Sequence, residues 1–250
     1  MDVSNMHRIE KLTMHALPAK DQELHADFIL RYTNGFTKRA NSIYPMKTTS
    51  EGLLEAVKFA EDWYAKRDYP AVFKMTDQAS LLELDNLLAD RDYAKIDVTH
   101  VERLSYANYE PLKVELDVLV TEHFNQAWFD AVCSYNEVPD QDRPVFEALL
   151  KKIKARTAYA SIYLDGQLVT CGLGVLEDGY FGLYDIVTAA NYRNRGLAKQ
   201  LVHYLLQWGQ AQGAQFAYLQ VLATNAPAIR VYRQLGFEKF YEYWYRVKDC

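Results

Sequence analysis

Three runs of alternating side chains, "TAYASIYL" (157–164), "QLVTCGLGVLE" (167–177) and "YFGLYDIVT" (180–188), are joined by Asp-Gly pairs at 165–166 and 178–179. Asp-Gly accepts the positive φ angles that a two-residue hairpin demands, so the spacing predicts three antiparallel neighbours. Helical periods stand on both sides of this meander. The chain therefore reads as α/β, with an α+β type of mixed sheet.

Upstream, "KVELDVLV" (113–120) alternates as a strand, "TEHFNQAWFDAVCSY" (121–135) reads as a helix capped by Thr121, and "RPVFEALLKKI" (143–153) reads as another helix. Downstream, Leu197, Leu201, Leu205 and Trp208 recur at helical spacing with Ala198 and Val202 beside them, while His203, Gln207 and Gln210 take the other, polar face. After Gly213 come a strand at 216–222, a short helix at 226–236 closed by Gly236, and an aromatic strand at 237–247. The order from residue 113 onward is strand, two helices, three strands, helix, strand, helix, strand.

The first half echoes the end of the second. Residues 51–104 read helix, strand, helix, strand, as do 196–247, and laying Trp63 over Trp208 puts 72–76 near 217–221 and 85–93 near 231–237. Before this, 26–46 predicts two strands joined by a turn around Asn34-Gly35. The boundary falls near Ala107 to Pro111, which divides the chain into 1–110 and 111–250.

Composition bounds the function. Of 250 residues, 50% are hydrophobic and 14% aromatic, ample for a packed core, and a net charge of −5 argues against broad attraction to nucleic acid or anionic membranes. Cys133, Cys171 and Cys250 are too few and too scattered for a disulfide framework or a CxxC metal site, so they read as free thiols in a reducing compartment. The first twenty residues lack an apolar signal core, and no window approaches the roughly 18 apolar residues of a membrane span. A cytoplasmic, soluble protein without a metal is expected.

Against this acidic background, Arg193 and Arg195 flank Asn194 directly before Gly196 and an amphipathic helix. A helix start ordinarily favours Asp, Glu, Ser or Thr, so two cations there oppose the helix dipole unless an anion neutralises them. Glycine admits a close backbone approach, and the helix offers unpaired N–H groups; together they form an anion site. There is no GxxxxGK[ST], and the Gly172-Leu173-Gly174 pair lies within a strand and lacks the third glycine of a dinucleotide fold.

What remains, Arg193-x-x-Gly196-x-Ala198 after a strand ending "DIVT", resembles the R/Q-x-x-G-x-G/A pyrophosphate motif of the GCN5-related N-acetyltransferases (GNAT). "VLATN" (221–225), "APAIRVYRQLGF" (226–237) and the aromatic last strand extend the resemblance, which is specific over 112–250 and suggestive over 1–111. It implies an acyl-CoA N-acyltransferase (GNAT) fold in two GNAT-like halves, the first incomplete: a degenerate 1–110 and a catalytic 111–250. It further implies acetyl-CoA as co-substrate, no metal, and transfer to a primary amine of a small molecule or peptide by direct attack on the thioester. No nucleic acid or membrane partner is expected, and the assembly is a monomer or homodimer.

Carried onto this chain, the resemblance places the pantetheine arm along Ile186, Val187 and Thr188, with a backbone N–H near Val187 polarising the thioester carbonyl. The pyrophosphate falls on the N–H groups of Asn194, Arg195, Gly196, Leu197 and Ala198, with Arg193 and Arg195 adding charge-assisted hydrogen bonds. Either Arg195 or Lys199 faces the 3′-phosphate. Asn225 matches an asparagine that holds the cofactor arm, and equally fits a cap for the helix at Ala226-Pro227. Tyr232 matches the tyrosine that protonates the departing thiolate. Asp185 is the first choice for the base and Glu177 the second, acting directly or through water, while a solvated or salt-bridged structural carboxylate is the safer reading of each. His203, without clustered partners, reads as an exposed histidine.

In the first half, Gly52 corresponds to Gly196 but follows "KTTSE" (47–51), with Glu51 where phosphate needs a cation, and the counterpart of Tyr232 falls near Leu87. A second cofactor site there is expected to be dead. The aromatic run at 241–245 and the acidic loop at 134–142 are read either as acceptor lining or as core strand and solvated loop. A rival reading is a non-catalytic CoA-binding sensor or assembly module, which would keep Arg193 to Ala198 but have no need of Tyr232.

Overall fold

A computed structural model describes residues 2–46, 52–111 and 113–248. Cys250 and the "KTTSE" segment with Glu51 lie outside the described residues. In chain order the elements are α1 (Val3–Ala16), β1 (Asp21–His25), β2 (Phe28–Tyr32), β3 (Ile43–Pro45), α2 (Leu53–Ala65), β4 (Val72–Thr76), α3 (Leu82–Asp90) and β5 (Ala94–Ser105). They continue with β6 (Val118–Thr121), α4 (Gln126–Tyr135), α5 (Arg143–Lys151), β7 (Arg156–Leu164), β8 (Gln167–Glu177), β9 (Tyr180–Thr188), α6 (Leu197–Ala211), β10 (Phe216–Leu222), α7 (Ala226–Gln234) and β11 (Glu238–Val247).

The described residues form two compact units. One takes the chain up to Val101, Leu222–Thr224 and the residues from Phe240 on; the other takes Glu102–Val221 and Asn225–Lys239. In the first unit the strands run β1-β2-β3-β4-β11-β5. β2 and β3 pair antiparallel through Phe28↔Pro45 and Leu30↔Ile43, and Asn34 and Gly35, at φ 51° and 83°, open their connection. α1 and β1 are additions to the expected elements. The aromatic last strand finds its partner here: Tyr243 to Val247 of β11 lie antiparallel to Thr76 to Val72 of β4. Phe28, Val57, Tyr64, Phe73 and Trp244 fill this core.

The second unit runs β5-β10-β9-β8-β7-β6, with only Glu102 to Ser105 of β5 included. The predicted meander is present: β7, β8 and β9 pair antiparallel. Asp165-Gly166 and Asp178-Gly179 all adopt positive φ, as the hairpins require. Leu197, Leu201, Val202, Leu205 and Leu206 of α6 pack with Ala158, Ala160, Phe181 and Leu219. Each such aliphatic side chain contributes roughly 1.5–3 kcal/mol on burial. Tyr159, between the two alanines, points to the other sheet face, where the Trp128 ring of α4 meets it edge-on at 5.0 Å.

Three local expectations are corrected. The strand expected over 113–120 is paired only from Val118 to Thr121, opposite Ile162 to Tyr159 of β7. Thr121 ends that strand instead of capping a helix; α4 starts five residues later, where Asn125 Oδ1 accepts the Trp128 N–H at 2.9 Å. His203 is buried, at 5% exposure. Tyr109 and Glu115 lie against the polar face of α6: Tyr109 Oη lies 3.4 Å from His203 Nδ1, and Gln200 Oε1 accepts the Glu115 N–H at 3.0 Å.

Candidate active site

The site grows from one irregularity in the meander. Thr170↔Thr188 and Cys171↔Val187 are paired, but the next partners are Leu173↔Tyr184, so two residues, Asp185 and Ile186, stand opposite the single Gly172. Asp185 takes φ 51°, a left-handed conformation that costs a non-glycine residue about 1–3 kcal/mol. This is a β-bulge, which bends its strand and re-aims side chains. Gly172 makes room for it: a Cβ there would overlap Ile186 Cδ1. The Gly172 carbonyl is held by Trp128 Nε1–H at 3.0 Å.

Beyond the bulge the sheet opens. β9 and β10 are paired in parallel only from Tyr180↔Phe216 to Leu183↔Leu219. Past Leu183, β9 has no β10 residue in register. Val187 O accepts from Thr170 Oγ1 and the Ala189 N–H donates to Val169 O, so these groups face β8. By alternation the N–H and C=O of Thr188 face the side from which β10 has parted. There Arg193 Nε donates to Thr188 O at 3.2 Å.

The loop that follows holds both arginines close to its own backbone. Arg195 donates to Asn191 O at 3.1 Å, and its guanidinium lies 5.0 Å from the centre of the Tyr192 ring. Asn194 and Gly196 both take positive φ, at 62° and 76°. Gly196 is the N-cap of α6; no side chain caps that end, its first turn has no acidic residue, and a Cβ at Gly196 would meet nothing within 4 Å. An uncapped helix N-terminus with an open glycine and two adjacent cations can receive an anion. Arg195 also lines a cavity of about 490 Å³ with Tyr135, Gln167 and Asn191. Leu197 turns into the core, and Lys199 Nζ donates to Gln234 Oε1 at 3.2 Å.

Asn225 caps α7, its Oδ1 accepting the Ala228 N–H at 3.2 Å. Tyr232 lies half-buried on α7, its ring 6.0 Å from Phe237 and tilted 67°. Burial, with the nearby Glu102 charge second, pushes its phenol up to about 12. It is therefore fully protonated at neutral pH. Asp185 is half-buried, and its charge adds to burial in raising Tyr159 and Cys171, which places it near both. Burial also pushes the Cys133 thiol up to about 11, so neither buried cysteine is a ready nucleophile. Glu177 sits at the hairpin end of β8 opposite Tyr180, away from the bulge.

Residues absent from the sequence expectation also stand out. Gly172 and Trp128 shape the bulge, and Glu102 is a fully buried carboxylate on β5. Its signal was the strand "VTHVERLS" (98–105), where Glu102 shares a face with Leu104. Among the described residues no group of three or more His, Cys, Asp or Glu is placed to hold a metal ion, and no helix is long and apolar enough to cross a membrane.

Known proteins share this architecture. Residues 3–246 match the family model described as "Probable histone acetyltransferase Rv0428c C-terminal". A Bacillus subtilis (strain 168) protein, the uncharacterized N-acetyltransferase YobR, is 26% identical over 250 residues, which is 98% of this chain and 100% of the relative. A GCN5-related N-acetyltransferase from Kribbella flavida superposes with a TM-score of 0.75 at 15% identity, covering 97% of this chain and 95% of its own. A tandem GNAT protein from the clavulanic acid biosynthesis pathway does so with 0.65 at 13%, covering 80% and 71%. These two likenesses are of fold. The chain belongs to the GNAT family of N-acetyltransferases, within the group that the matched family model describes. It is an acyltransferase, as its motif and element order led us to expect.

Proposed function

We propose that the chain transfers an acetyl group from acetyl-CoA to a primary amine of a small molecule or peptide, and that residues 111–250 carry the chemistry. The observation that carries this reading is the parting of β9 from β10 after Leu183↔Leu219, immediately before Ile186 to Thr188 and the uncapped Gly196 helix. A free strand edge suits an extended amide-bearing arm, and the helix N-terminus suits its pyrophosphate. The open space at Gly196 and the exposed side chains of Arg193 and Arg195 fit such a group.

In this reading acetyl-CoA supplies the activated acyl carbon. The segment Ile186, Val187 and Thr188 aligns it through those main-chain groups that face away from β8, and a backbone N–H near Val187 polarises the carbonyl. Arg193, Asn194, Arg195, Gly196, Leu197 and Ala198 bind the phosphates, while Asn225 caps α7 and holds the arm. Asp185 accepts the amine proton, directly or through water, as the new N–C bond forms. Tyr232 Oη gives its proton to the sulfur as the C–S bond breaks. Asp185 is favoured over Glu177 because it lies in the bulge beside Ile186 to Thr188, whereas Glu177 pairs with Tyr180 at the hairpin end.

Residues 1–110 form the degenerate half in this proposal. Gly52 at φ 75° caps α2 as Gly196 at φ 76° caps α6, while Leu87, in the place of Tyr232, packs against a hydrophobic core. The proposed setting is the cytoplasm, as a monomer or homodimer, with no nucleic acid or membrane partner. Calorimetric titration of the full chain with acetyl-CoA tests the reading. One equivalent is expected; two would give the first half a working site, and none would remove acetyl-CoA from the function.

A further inference from the structure

The hydroxyl oxygens of Tyr184 on β9 and Tyr218 on β10 lie 2.6 Å apart, a hydrogen bond between two buried phenols. Their rings meet edge-on, with centroids 6.2 Å apart and an interplanar angle of 87°. Leu183 and Leu219 pack in the core with α6, so by alternation Tyr184 and Tyr218 stand on the opposite face of the sheet, as does Gly182. Gly182 makes the meeting possible. A Cβ there would stand 2.7 Å from Tyr184 Cε2 and 2.7 Å from both Cζ and Oη of Tyr218, so the two rings close over the glycine.

The bond sits where the sheet opens. Leu183↔Leu219 is the last rung between β9 and β10, and Leu173↔Tyr184 is the last regular rung between β9 and β8 before the bulge. Tyr184 is therefore the root of the bulge, next to Asp185 at φ 51°. A backbone in so sparsely populated a conformation persists only where its surroundings fix it. Beyond the bulge, Thr170 Oγ1 donates to Val187 O at 2.7 Å and ties the strand to β8. Before it, Tyr218 ties Tyr184 to β10.

We propose that the Tyr184–Tyr218 hydrogen bond is a clasp at the parting of β9 and β10, and that both tyrosines are positioning residues for the acetyl transfer. The clasp fixes the root of the bulge, and through it the direction of the backbone N–H near Val187 that polarises the thioester carbonyl. Such a donor is effective only when it is held at the place where charge grows on the oxygen. A small swing of the bulge therefore costs polarisation before it costs binding, which rests chiefly on the phosphate contacts at the Gly196 helix. The inference rests on the reading of acetyl-CoA as co-substrate and of that N–H as its carbonyl donor.

Isotope-edited infrared spectroscopy of the full chain, with acetyl-CoA carrying carbon-13 at the thioester carbonyl, reads polarisation without turnover, because polarisation lowers the carbonyl stretching frequency. The bound band of the parent is expected below that of free acetyl-CoA. Tyr184→Phe, Tyr218→Phe and the double variant are each expected to return it toward the free position, with affinity in calorimetry almost unchanged. The double variant keeps both rings and leaves neither hydroxyl buried alone, a nearly neutral change for stability, so it carries the test should a single variant not fold. Since either single change breaks the same bond, the double variant should move the band no further than one of them does. A double-variant band at the parent's position, whatever happens to Tm, overturns the clasp alone. A parent that binds no acetyl-CoA, or binds it with the band of the free thioester, sinks the reading beneath the clasp and the clasp with it.

Discussion

Ile186 occupies the space that a side chain on Gly172 would need: a Cβ at Gly172 would overlap Ile186 Cδ1 and come within 3.0 Å of Leu201 Cδ2. The glycine on β8 and the bulge on β9 are thus one device. Gly172→Ala must push Ile186 away or shift the strand, and overpacking of this kind costs about 1–3 kcal/mol. A fall in Tm of roughly 2–10 °C is expected in thermal denaturation. An unchanged Tm would mean that Ile186 turns aside freely and that the bulge stands without the glycine.

Gly196→Asp and Arg195→Glu place negative charge at the N-terminus of α6. A Cβ at position 196 meets nothing within 4 Å, so Gly196→Asp carries only the strain of positive φ. Near-normal circular dichroism with acetyl-CoA affinity reduced at least about tenfold is expected, since a charged hydrogen bond contributes roughly 1.5–3 kcal/mol. Retained affinity in calorimetry would put the phosphates elsewhere.

Tyr232→Phe keeps the ring that packs on Phe237 and removes only the hydroxyl. Turnover is expected to fall about 10²- to 10⁴-fold, the usual range for a lost general acid, with acetyl-CoA affinity almost unchanged. Steady-state kinetics beside a binding isotherm decide it. A loss of affinity without loss of turnover would make Tyr232 a binding group.

His203 links stability to pH. Burial, with Lys199 second, holds its imidazole below the ordinary 6.5. As pH falls through 6.5 the unfolded chain takes up the proton before the folded one, so this contribution to stability is full above 6.5 and is lost on the acid side. Urea unfolding at pH 7.5 and 5.5 should show the loss, and His203→Gln should lessen it. An equal pH dependence in both proteins would indicate that Tyr109 accommodates the imidazolium.

Legibility in the sequence followed the range of the forces involved. The Asp-Gly hairpins, the α6 period and the closing Gly236 were readable because each is settled within a few residues. α1 escaped because its buried face includes Glu10, matched 64 residues away by Lys74 at 2.5 Å, so its polar and apolar positions do not separate cleanly. β1, "DQELH", is an almost wholly exposed edge strand with no apolar alternation to reveal it. His203 looked solvent-facing because no local signal announces that Tyr109, 94 residues earlier, will meet its ring. In the site, the Arg-Asn-Arg-Gly loop was legible as a motif. The bulge was not, because Asp185 and Ile186 stand two against one only when set beside the β8 register.

The sorting of β5 and β11 between the two compact units bears on how such a chain can change over generations. Residues 102–105 complete the unit that holds Tyr232, and residues from Phe240 on complete the unit that holds β4. Neither half of the gene encodes a whole sheet. A cut near residue 110 would therefore take residues 102–105 from one unit and the residues from Phe240 on from the other, so the two halves can be lost or exchanged only together.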